Sequence, residues 1–143
     1  PHPEDRTRAA LGILVSSSLS YDLPLNIEID SRNVKGSSAG LMFTLEILNQ
    51  LHPDDLTGGQ IIAGTGTIGL DGAVGPIAGV KQKLVAAKRG GAKYFLVPME
   101  NLEAAEEIAK NLKPIKVIGV TDIGHAITVL DDIARRNNGT SGE

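Results

Sequence analysis

Between residues 38 and 49 the apolar positions recur at helical spacing, with Leu41, Leu45 and Leu48 on one face beside Met42, and His52-Pro53 marking the end. The pattern predicts a helix over 38–49. A period of two runs through "PLNIEID" at 24–30, where Leu25, Ile27 and Ile29 alternate with polar neighbours, as in a strand with one open face. "AALGILVS" at 9–16 reads as another strand, and residues 31–37 as a polar loop. The segment "GGQIIAGTGTIGLDGAVGPIAG" at 58–79 is β-branched and glycine-rich, and its Asp71-Gly72 predicts a hairpin turn between two short strands. Thereafter strand and helix alternate. "VKQKLVAAKR" at 80–89 predicts a helix stopped by Gly90-Gly91, "KYFLVP" at 93–98 a strand, and "LEAAEEIAKNL" a helix capped by Asn101. "IKVIGV" at 115–120 predicts a strand, and 122–136 a closing helix capped by Thr121 or Asp122.

Hairpin-like strands followed by alternating strands and helices predict an α+β (mixed α/β) sandwich. The 143 residues fit one domain with its core at about 10–135, large enough to bury roughly two-thirds of the surface its unfolded chain exposes. The polar ends "PHPEDRTR" and "RRNNGTSGE" read as solvated linkers, as in a domain excised from a longer protein. Two Phe, two Tyr and no Trp leave no stacking surface for single strands, and a net charge of −3 lacks the basic footprint that phosphates require. Nucleic acid is therefore not an expected partner. The absence of cysteine excludes disulfides, thiolate catalysis and cysteine-ligated zinc, and His2, His52 and His125 show no metal-ligand spacing, so no metal is expected. No apolar run approaches the roughly 18 residues of a membrane span, so this chain itself is not expected to contact a membrane.

Gly64-Thr65-Gly66-Thr67-Ile68-Gly69 has the glycine spacing of a dinucleotide-binding turn, but that turn must open a helix, and here a turn and Pro76 follow. A structural hairpin is the better reading, and no cofactor is expected. "GSSAG" at 36–40 satisfies the Gly-x-Ser-x-Gly pattern of a nucleophile elbow around Ser38. The competing reading, favoured by the pentapeptide alone, is a helix N-cap by Ser37 or Ser38. Asp122 and His125 follow in the order of a Ser-His-Asp hydrolase, although the polar loop before Gly36 does not suit a strand-borne elbow. Among the lysines, Lys83, Lys88, Lys110, Lys113 and Lys116 read as solvated. Lys81 differs, because it follows the apolar, glycine-rich "VGPIAGV" and falls in a first helical turn. Partial desolvation and the positive end of the helix dipole both disfavour an ammonium there, which suits a general base towards a serine hydroxyl. A snorkelling lysine covering apolar surface is the even alternative.

Together, "GSSAGLMFTLEILNQL", "GTGTIGLDGAVGPIAGVKQKLVAAKRGGAKYFLVPMEN" and the interval from Ser38 to Lys81 resemble the protease domain of Lon-type serine peptidases over about 10–135. The resemblance implies that domain's fold, of the ribosomal protein S5 domain 2-like type, and a serine endopeptidase acting on protein or peptide substrates through an acyl-enzyme. It implies Ser38 as nucleophile and Lys81 as general base, with Thr65 hydrogen-bonding the lysine amine. Ser37 stands where the family usually has proline, and Lys35 where an acidic residue or glycine is usual. "AGLMFTLEIL" and "LTGGQIIAGTGTI" are similar to the branch in which a PDZ domain precedes the protease domain and no ATPase module is present. The family resemblance implies a homo-oligomer, a hexameric ring, and the branch implies a membrane-anchored protein whose protease domain lies outside the cytoplasm, a cytoplasmic location being the alternative. The Ser-His-Asp hydrolase and a non-catalytic α+β partner-binding domain are the alternatives on residues alone.

Overall fold

A computed structural model describes residues 36–112 and 114–139, together with Glu28. The strands expected at 9–16 and 24–30, and with them Lys35 and His2, lie outside these residues, Glu28 excepted.

Helix α1 (Gly40–Leu51) is entered through a 3-10 turn at Ser37–Ala39 and buries Leu41 and Leu45, the stripe the apolar spacing predicts. It stops where Pro53 forces His52 into extended backbone, with the His52 N–H still donating to the Leu48 carbonyl at 3.0 Å. Strands β1 (Ile62–Gly64), β4 (Tyr94–Pro98) and β5 (Lys116–Val120) form a parallel sheet in the order β1-β4-β5, with Ile62 opposite Tyr94 and Tyr94 opposite Lys116. Because the central strand β4 is covered on both faces, its sequence is continuously apolar rather than alternating. Leu96 points to one side, into a cluster with Leu41, Leu45, Val120, Ala126 and Leu130. Phe95 and Val97 point to the other, joining Val80, Leu84, Ala105 and Ile115. Helices α1 and α4 (Ile123–Gly139) thus cover one face of the sheet, and α2 (Val80–Arg89) and α3 (Leu102–Ala109) the other.

The predicted hairpin is present as the antiparallel pair β2 (Thr67–Ile68) and β3 (Val74–Gly75). Its connection is wider than a two-residue turn. The Gly69 N–H donates to the Ala73 carbonyl at 2.9 Å, and Asp71 Oδ1 accepts the Ala73 N–H at 3.1 Å. This hairpin is stitched to the end of β5 by Val74 N–H to Thr121 carbonyl and Ile123 N–H to Gly72 carbonyl, both 2.9 Å. Helix α2 ends at Gly90-Gly91 as expected, whereas α3 is shorter than its apolar pattern suggested and α4 runs on to Gly139. No described helix is long and apolar enough to cross a membrane.

Of the two residues expected to cap α4, Asp122 does so. Its Oδ1 accepts the His125 N–H at 2.8 Å, and its Oδ2 accepts the Thr121 hydroxyl at 2.7 Å. These bonds, the hydroxyl first, hold the Asp122 carboxyl below its ordinary value of 3.8. Asp55 is lowered likewise, chiefly by the Thr57 N–H and then its hydroxyl. A carboxyl whose folded value is depressed contributes stability that is complete above the unfolded value and is lost as pH falls through the folded one. Asp122→Ala is therefore expected to lower the denaturation midpoint at neutral pH and to flatten its decline below about pH 4, measured by denaturant titrations across the acid range.

Candidate active site

The chain enters α1 from Gly36, whose φ of 97° and ψ of 157° are essentially confined to glycine. Nothing would crowd a Cβ there, so the residue serves conformation rather than space. The Ser37 carbonyl accepts the Gly40 N–H to close the 3-10 turn, and neither that turn nor α1 has a side-chain cap. The expected capping role of Ser37 or Ser38 is thus not adopted. The turn satisfies its backbone in another way, through the segment that leaves β1.

Two donors meet the Ser38 carbonyl, the Gly66 N–H and the Thr65 hydroxyl, each at 2.9 Å, and the Leu41 N–H returns a bond to the Gly66 carbonyl at 3.1 Å. Such an approach leaves no room above residue 66. A Cβ on Gly66 would stand 2.8 Å from Val74 Cγ1 and 3.2 Å from Leu41 Cβ. The glycine spacing at 64–69 is therefore a packing device beneath α1, in accord with the hairpin reading. Thr65 is 1% exposed and is the buried polar residue of the described core. Its hydroxyl donates to the Ser38 carbonyl, and no bond from a lysine amine to it is present among the described residues.

With its backbone held by the clamp, half-buried Ser38 has its hydroxyl free for a side chain, and Lys83 Nζ donates to Ser38 Oγ at 2.8 Å. Lys83, read from the sequence as solvated, is the lysine that reaches the serine. Lys81, expected in that place, is exposed and borders a shallow surface cavity with Val85, Glu107, Ile108 and Leu112 on the α3 side. The reason is helical geometry. At about 100° per residue, buried Val80 and Leu84 and half-buried Ala87 mark the inner stripe of α2. Lys81 falls on one flank of that stripe and Lys83 on the other, about 160° away around the helix. Apolar context before the helix named its first turn but not the flank. The signal that was available is the 80/84/87 stripe, beside which residue 83 lies as closely as residue 81.

His125 does not approach Ser38 through any hydrogen bond among the described residues. Its Nδ1 lies 3.2 Å from the Thr121 hydroxyl, while the Asp122 carboxylate is engaged in capping α4. The Ser-His-Asp arrangement is not assembled. Among the described residues no cluster of His, Asp or Glu suitable for a metal ion is present. The pair that remains, a serine hydroxyl and a lysine amine at hydrogen-bond distance beside a helical N-terminus, has the composition of a nucleophile and its base.

Comparison with known proteins covers the segment that holds these residues. Residues 27–132 match the family model described as the Lon protease (S16) C-terminal proteolytic domain. The chain is 35% identical over 132 residues to the Lon protease of Haemophilus influenzae, covering 90% of this chain and 15% of that protein. It is 33% identical over 129 residues to that of Rickettsia bellii, covering 86% and 16%. The chain thus spans only a small fraction of the length of these relatives.

The Ser38 carbonyl keeps its bond from the Gly66 N–H when the Thr65 hydroxyl is removed, so the buried acceptor is not orphaned. Thr65→Val is accordingly expected to cost about 1 kcal/mol in a denaturant titration, not the larger penalty of an unsatisfied group.

Proposed function

The chain belongs to the Lon protease (S16) C-terminal proteolytic domain family, and from that premise we propose that it is a serine endopeptidase cleaving protein or peptide substrates through a Ser38–Lys83 dyad. The observation that carries this reading is the 2.8 Å contact between Lys83 Nζ and Ser38 Oγ. Lys83 Nζ accepts the Ser38 proton as Oγ attacks a peptide carbonyl carbon, and the carbonyl oxygen becomes an oxyanion. Within the 3-10 turn the hydrogen-bond pattern begins only with the Gly40 N–H, so the Ser38 and Ala39 amides are not consumed inside it and are our candidates for oxyanion donors. The Lys83 ammonium then gives its proton to the leaving amine as the peptide C–N bond breaks. Water, deprotonated by the same amine, hydrolyses the ester and restores the Ser38 hydroxyl.

No cofactor enters this sequence of steps. By family resemblance we also propose a homo-oligomeric ring, and on "AGLMFTLEIL" and "LTGGQIIAGTGTI" a place in the PDZ-linked branch. Light scattering beside the activity assay tests the assembly.

Ser38→Ala and Lys83→Ala are each expected to remove nearly all hydrolysis of an unstructured protein, a loss on the order of 10³-fold or more. Lys81→Ala and His125→Ala are expected to stay within about twofold of the parent, since truncation of either leaves the dyad intact. Full activity in Lys83→Ala, or its loss in His125→Ala, would sink the dyad.

A further inference from the structure

Asn101 stands at the N-cap position of α3, yet its side chain makes no capping bond there. It is directed instead to the loop between β3 and α2, where Asn101 Oδ1 accepts the Ile77 N–H at 2.9 Å and Asn101 Nδ2 donates to the Ile77 carbonyl at 3.1 Å. One amide side chain thus satisfies both backbone groups of one residue, as a neighbouring strand would. Helix α3 forgoes a cap that asparagine is well suited to supply, so the fold uses Asn101 for something else.

What that pairing holds follows from the chain path. Ile77 packs against the cluster of Val80, Leu84 and Phe95. Only Ala78 and Gly79 separate it from the start of α2 at Val80, and Lys83 follows within the first turn. The two bonds therefore anchor the origin of the helix that carries Lys83, on the side of the sheet opposite α1. We infer that Asn101 is a positioning residue that sets the reach of Lys83 to Ser38 by fixing Ile77. The inference rests on Lys83 acting as the base and deepens that reading.

A comparable staple elsewhere serves as the control. Asn49 Oδ1 accepts the Leu56 N–H at 2.7 Å beyond the far end of α1, with no path to Lys83. Parent, Asn101→Ala, Asn101→Asp, Asn49→Ala, Ser38→Ala and Lys83→Ala are compared for kcat and KM on an unstructured polypeptide, with thermal unfolding measured alongside. Asn101→Ala is expected to lower kcat about 10- to 100-fold with KM within about twofold, the effect of a misplaced catalytic group. Asn101→Asp keeps the acceptor but sets a carboxylate oxygen against the Ile77 carbonyl, so it falls in the same direction and supplies the measurement if the alanine variant does not fold. Asn49→Ala is expected to lower the unfolding midpoint and leave kcat unchanged. Unchanged kcat in a folded Asn101 variant, or a loss no greater than that of Asn49→Ala, overturns the positioning role alone. Activity surviving in Ser38→Ala or Lys83→Ala overturns the dyad, and the positioning role falls with it.

Discussion

Three hydrogen bonds join the turn at Ser38 to the strand exit at Thr65-Gly66, and most of what is distinctive about this domain depends on them. Each is worth about 1 kcal/mol net, so together they form a sizeable part of the stability of a small domain, typically about 5–15 kcal/mol. Their geometric effect is larger than their energetic one. They set the height at which α1 begins above the sheet, require glycine at position 66, and occupy the Ser38 carbonyl so that the hydroxyl of the same residue is left to a side chain. A helix start that would ordinarily recruit that hydroxyl as a cap is satisfied here by a neighbouring segment.

The opposite face of the sheet supplies the partner. Helix α2 is anchored by Val80 and Leu84 in the second apolar cluster, and the orientation of that stripe decides which polar side chains reach past the sheet edge. Two lysines two residues apart consequently live in different surroundings: Lys83 is half-buried against Ser38, while Lys81 lies exposed on the α3 flank. The loop before α2 is no passive connection, since the N–H and carbonyl of Ile77 are both paired to the Asn101 side chain.

Much of this architecture was legible in the residues. The 41/45/48 spacing, the apolar run at 94–98 and the double glycine at 90–91 each dictate an element through local physics, and each element formed where expected. The Asp71-Gly72 signal found the hairpin but not the width of its connection, because Asp71 substitutes a side-chain acceptor for a backbone one. Ser38 was marked by its small neighbours. Lys83 was not, because choosing between two lysines on one helical turn requires knowing the direction from which the serine approaches, and that direction is set by the sheet between them. Asn101 was read as a cap for a similar reason: its sequence neighbours specify a helix start, while its actual partner is 24 residues away.

Ser38 and Lys83 are 45 residues apart in the chain, and the Ser38 turn is held by Thr65, 27 positions on, and its neighbour Gly66, beside a sheet whose described strands are parallel. Contacts of such separation return stabilisation only after the loop-closure entropy of the intervening chain has been met. The serine–lysine pair is thus a property of the finished fold and absent from its fragments. A chain still emerging, or one partly unfolded, carries Ser38 without Lys83, and so withholds the pair until its own structure is complete.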